Sequence, residues 1–109
     1  RRNNDMIRAV FRYAGDAPRG FSLCGHAGAG VAGEDVVCAA VSSAAYMAAN
    51  TVTDVVGAKA TVDAGDGALT LEVFEENAGI KTVMDGFFLH MKALQEQYPE
   101  RIQVLKTEV

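Results

Sequence analysis

Ile7, Ala9 and Phe11 alternate with Arg8, Val10 and Arg12 over residues 6–13, a period of two that predicts a half-buried strand. Turn chemistry follows at residues 15–20, and a second short run at 21–26 predicts a hairpin partner. Residues 27–33 carry little to bury, and their glycines read as a loop. Residues 34–51 contain no glycine or proline and many alanines, and Glu34 and Asp35 stand where a helix start favours negative charge. Its alanine-rich circumference lets that helix approach a sheet on one side and another element on the other. Residues 54–63 and 68–74 read as strands joined through Asp66-Gly67, a strong hairpin cue. Ile80, Met84, Phe87, Met91, Leu94 and Tyr98 recur at steps of four and three, an amphipathic helix that Pro99 ends, and residues 101–109 alternate as a last strand. The pattern predicts an α+β fold: two helices packed with a mixed β-sheet, in the order strand-strand-helix-strand-strand-helix-strand.

Composition narrows the class. The 109 residues suit one domain; half are hydrophobic and only two are proline, which excludes a disordered or linker-rich chain. Residues 1–5, ahead of Met6, read as a polar tail or a cloning scar, leaving 6–109 as the domain. Two cysteines are too few for a disulfide framework and suit a reducing, cytoplasmic setting. In this reading no apolar run approaches the ~20 residues of a membrane span. Ten Lys and Arg against fourteen Asp and Glu give a net charge of −4, which disfavours nucleic acid and suits a basic protein partner.

The chemistry concentrates between residues 25 and 42. At ~100° per helical residue, Asp35, Cys38 and Ser42 fall on one narrow polar stripe of a helix otherwise built from Val, Ala and Met. His26 ends a strand just before the loop leading into that helix, so an imidazole and a thiol can meet at its first turns. A free thiol has a pKa near ~8.5 and must be activated; a helix N-terminus and a neighbouring imidazolium both stabilise the thiolate. His26 can then serve as acid and base, Asp35 or Ser42 can orient the pair, and backbone N–H groups can hold an oxyanion. The blander readings make Cys38 a small buried hydrophobe, His26 a strand-end residue and Asp35 a helix-dipole partner. Cys24, on the face of His26 in a regular strand, allows a zinc site of Cys24, His26 and Cys38, with or without Asp35, although the spacing matches no familiar zinc signature. A Cys24–Cys38 disulfide is geometrically conceivable but disfavoured in a reducing compartment; packing is the favoured role for Cys24. His90 reads as a boundary residue of the second helix, and Asp63, Asp66, Glu75 and Glu76 as solvated loop acids.

Residues 25–43, GHAGAGVAGEDVVCAAVSS, resemble the signature of the ribosomal-processing cysteine protease (Prp) family: Gly-His-Ala after the second strand, a variable loop, then Gly-x-Asp-x-Val-Cys-Ala-Ala-Val-Ser. Gly25, His26, Ala27, Gly33, Asp35, Val37, Cys38, Ala39, Ala40, Val41 and Ser42 fit it. Cys24 is not part of that pattern, and Ala29 stands where relatives often carry a larger residue.

The resemblance implies a cytoplasmic, homodimeric cysteine endopeptidase that needs no cofactor or metal. It would remove the N-terminal extension of a large-subunit ribosomal protein, number twenty-seven in the usual naming, cutting after an aromatic residue. By the same carry-over Cys38 is the nucleophile and His26 the general base. Asp35, Ser42 and Gly25 are supports, and Ala27, Gly28, Ala29, Gly30, Val31, Ala32 and Gly33 form a substrate-gating loop. A basic ribosomal precursor is the expected partner, with no membrane and no direct nucleic acid. The competing readings are a non-enzymatic metal-binding module and a ribosome-assembly factor that binds the precursor without cutting it.

Overall fold

A computed structural model describes residues 6–25, 35–65 and 67–109, with Asp35 described for its backbone alone. Among the described residues the elements are β1 (Ile7–Ala14), β2 (Ala17–Cys24), α1 (Asp35–Asn50), β3 (Ala60–Gly65), β4 (Ala68–Val73), α2 (Ala78–Gln97) and β5 (Ile102–Glu108). The strands form one sheet in the order β3-β4-β2-β1-β5. β5 runs parallel to β1, and the other pairings are antiparallel, which gives the expected mixed α+β architecture.

Alternation decides which face of the sheet the helices cover. Ile7, Ala9, Phe11 and Tyr13 of β1, Leu69, Leu71 and Val73 of β4, and Ile102 and Val104 of β5 are all buried. From the helix side, Phe87 of α2 meets Phe11 and Phe21 with ring centroids 5.3 and 4.9 Å apart. The periodic residues Ile80, Met84, Phe87, Met91 and Leu94 are the buried stripe of α2, and Asn77 caps the helix by accepting from the Ile80 N–H at 2.8 Å. The opposite face of the sheet is polar. There the Arg12 guanidinium donates to Ser22 Oγ at 2.9 Å, and Arg8 Nε donates to Gln103 at 3.1 Å.

Two local expectations are corrected. The stretch 15–20 is not all turn: only Gly15 and Asp16 separate the strands, and Pro18 and Gly20 lie within β2. Pro18 falls where the β1–β2 register slips at Arg12/Tyr13 and beyond the reach of β4, which pairs from Gly20 onward, so its missing N–H breaks no interior ladder. At Gly20 a Cβ would strike the Leu71 carbonyl of the neighbouring strand, which is why glycine sits there.

The second correction concerns residues 54–59, expected as strand. The helix continues past Asn50 through a π-helical turn, Thr51–Val55, closed by Val56 N–H donating to Thr51 O at 2.8 Å. Val52 is fully buried beside Ala48 and Ala49, and that packing outweighs the strand preference of the β-branched run; Gly57, at φ 73°, turns the chain out of the helix. The joined segment Val36–Val55 is therefore long and apolar enough to cross a membrane, which the reading of two shorter elements did not anticipate. Its flank of Val37, Val41, Ala45, Ala48, Ala49 and Val52 is buried in the core, the arrangement of a helix packed on a sheet.

Candidate active site

β2 ends against two neighbours. Gly25 N–H donates to the Gly67 carbonyl at 3.1 Å, and Gly25 itself sits at φ 100°, where a Cβ would collide with the carbonyl oxygen of Met6. The residue before His26 is thus held between the start of β1 and the tip of the β3–β4 hairpin, in a backbone conformation that favours glycine. Gly65 and Ala68 pair across that tip and Gly67 stands at φ 69°, while Asp66 lies outside the described residues.

Facing this junction, α1 starts at Asp35, and Cys38 lies in its first turn, half-buried and packed against the core. Between α1 and the sheet is a cavity of about 280 Å³. Its floor is apolar: Ile7, Leu23, Val41, Ala45 and Leu69. Its rim carries Cys38, Ser42 and Tyr46 from α1, Cys24 and Gly25 from the end of β2, and Gly65, Gly67 and Ala68 from the hairpin. The structure therefore brings Gly25, Cys38 and Ser42 to one cleft. His26, the loop residues 27–33 and the side chain of Asp35 lie outside the described residues.

Cys24 and Cys38 are both free thiols. Cys24 is exposed, follows the buried Leu23 at the end of β2, and stands on the rim of the same cavity as Cys38. The idea that Cys24 and His26 share a face assumed a regular strand through residue 26. β2 stops at Cys24 and Gly25 stands at φ 100°, and the face of His26 lies outside the described residues. Among the described residues no group of three His, Cys, Asp or Glu side chains is placed to hold a metal. His90 is exposed on α2, at the border of a separate apolar groove between the helices. Of the acids read as loop residues, Asp63 lies exposed in β3, Glu75 accepts from the Lys59 N–H at 2.6 Å, and Glu76 pairs with Arg19 at 3.4 Å. Tyr46 and the hairpin tip were missed as site residues; the signal for Tyr46 was its position two steps of four beyond Cys38.

The family model for cysteine protease Prp matches residues 6–103, nearly the whole domain, with Cys38 inside the match. The chain belongs to the cysteine protease Prp family. Among solved structures, SMU.848 from Streptococcus mutans is 25% identical, with 96% of this chain and 97% of that one covered and a TM-score of 0.81. The essential ribosomal processing protease Prp from S. aureus shares the fold in two complexes, one with a substrate peptide (18% identity, TM-score 0.84) and one with a covalently linked product peptide (19%, 0.85). Each covers 94% of this chain and 100% of the other. No curated protein resembles the chain closely enough to count as a match.

Proposed function

We propose that this member of the Prp family is the endopeptidase that removes the N-terminal extension of large-subunit ribosomal protein twenty-seven in the cytoplasm before assembly, through a dyad of Cys38 and His26. The observation that carries the reading is Cys38 on the rim of an apolar-floored cleft within the family match. The S. aureus neighbours, with their substrate and covalently linked product peptides, fit it. So does the net charge of −4, which suits a basic ribosomal precursor.

In this scheme His26 takes the proton of Cys38, and the thiolate attacks the carbonyl carbon of the scissile peptide. A C–S bond forms, and the carbonyl electron pair moves onto oxygen, where backbone N–H groups at the start of α1 or in the preceding loop receive it. Collapse of that intermediate breaks the C–N bond, and the imidazolium gives its proton to the departing amine. Water, deprotonated by His26, then attacks the thioester; the C–S bond breaks, the acid leaves, and the imidazolium returns its proton to sulfur. Every proton and electron pair passes through the two side chains and water, so the scheme calls for no cofactor. Asp35 and Ser42 support the pair, Gly25 holds the approach to His26, and the glycine-rich residues 27–33 gate the cleft. In this scheme the protein acts as a homodimer, as the family resemblance implies.

The test is the mass of a cognate precursor before and after exposure to the protein. The chain should release the extension, and Cys38→Ala and His26→Ala should each abolish release while circular dichroism stays native. Release by Cys38→Ala at the unsubstituted rate would reject Cys38 as nucleophile. Stable binding of the precursor with no change of mass would instead leave an assembly factor.

A further inference from the structure

Cys38, Ser42 and Tyr46 stand at steps of four along α1, and all three line the same cavity. Successive steps of four drift only slowly around a helix, so the row runs nearly along its axis. Eight residues of helix advance ~12 Å, whereas an extended peptide advances ~3.3 Å per residue. A peptide laid along this row from Cys38 would meet Tyr46 not at the bond beside the thiol but three or four residues away from it. Its surroundings suit a side chain: Tyr46 is 48% exposed, Ala45 beside it is fully buried in the floor, and the facing hairpin contributes Gly65, Gly67 and Ala68. Those residues carry little or no side chain, which leaves the cleft open opposite the ring. A half-exposed phenol above an apolar floor offers a ring face to an apolar group and keeps its hydroxyl in water.

We infer that Tyr46 is a specificity-determining residue, forming a second subsite that takes an apolar side chain three or four residues from the bond cut at Cys38. The inference rests on the reading of Cys38 as nucleophile for its register, and on the geometry of the α1 row for its existence. It assigns Tyr46 to substrate selection, with no part in bond breaking. The hydroxyl makes no demand in this role, so phenylalanine serves as well.

The experiment is a binding measurement that does not depend on turnover. In the Cys38→Ala background, fluorescence anisotropy reads the affinity of a fluorescein-labelled extension peptide of the cognate precursor, together with variants carrying serine at each position in turn. Tyr46→Ala should weaken the parent peptide about tenfold, and should have no effect on the one peptide whose serine lies three or four residues from the cleavage point. Tyr46→Phe should preserve the coupling, and thermal melting controls for the fold. In the cleaving protein, Tyr46→Ala should raise KM by the same factor at nearly constant kcat. Coupling to a position adjacent to the cleaved bond, coupling to none, or failure of every peptide to bind would overturn the proposal. Intact coupling in a protein that cuts nothing would sustain the subsite and reject the protease reading.

Discussion

The carbonyl oxygen of Met6 occupies the space that a Cβ at residue 25 would need, so the entrance of β1 dictates the residue that precedes His26. Gly25→Ala forces either a shift of that carbonyl or a strained backbone at φ 100°, a cost of about 1–3 kcal/mol. Urea unfolding should show that loss. The cleavage rate should fall further than stability alone accounts for, because any adjustment at residue 25 is passed to His26. Unchanged cleavage in Gly25→Ala would detach the strand end from catalysis.

Thiol reactivity should run against exposure. Cys24 is exposed and Cys38 only half so, which by access alone makes Cys24 the faster target. The proposed general base, His26, would reverse the order, since the thiolate is the reacting form. Iodoacetamide at neutral pH, followed by peptide mass mapping, should label Cys38 first, and His26→Ala should return the order to that of exposure.

Stability should decline at both ends of the pH scale through one cluster. Tyr13 donates to Asp85 at 2.7 Å, Lys81 donates to the other oxygen of Asp85 at 2.8 Å, and Lys106 lies 4.3 Å above the Tyr13 ring. Burial, then the hydrogen bond to Asp85 and its charge, raise the Tyr13 pKa well above the ordinary phenol value. The folded state thus keeps a proton that the unfolded chain releases above about pH 10, so this contribution is intact below that pH and fades as pH rises past it. For Asp85, burial alone would raise the pKa, but hydrogen bonds from Lys81 and Tyr13 outweigh it and the net shift is downward. That contribution is intact above about pH 4 and is lost as pH falls below it. Urea midpoints should show a shallower alkaline decline in Tyr13→Phe and a shallower acid decline in Asp85→Asn.

The start of α2 should depend on a single amide. Asn77→Ala leaves the Ile80 N–H without its acceptor and should cost about 1 kcal/mol, or about 5 °C in Tm. Asn77→Asp should recover most of it, since a carboxylate caps equally well.

Much of this fold was legible because period and burial agree. The alternation of β1 and the four-three spacing of α2 name residues that prove buried, except Tyr98, which is half-buried at the C-cap of α2. Reading failed where tertiary contacts overruled local signals. Pro18 and Gly20 look like turn residues until the β1–β2 register slip and the Leu71 carbonyl are seen. Residues 54–59 look like the start of a strand until Val52, just before them, is found in the core and the helix is seen to run on to Val55. At the site, Cys38 and Ser42 were readable from their helical stripe and from the likeness to Prp. The hairpin tip was not, because only the pairing order β3-β4-β2 carries Gly67 to Gly25.

β5 lies beside β1, and Ile7 N–H donates to the Arg101 carbonyl at 2.8 Å. Ile7 also forms part of the cleft floor beneath Cys38. During synthesis that floor stays without its outer support until residues 101–108 have left the ribosome. A nascent copy would carry Cys38 about sixty residues before the wall behind it was braced. The order of translation thereby delays the appearance of a competent cleft until nearly all of the domain has been made.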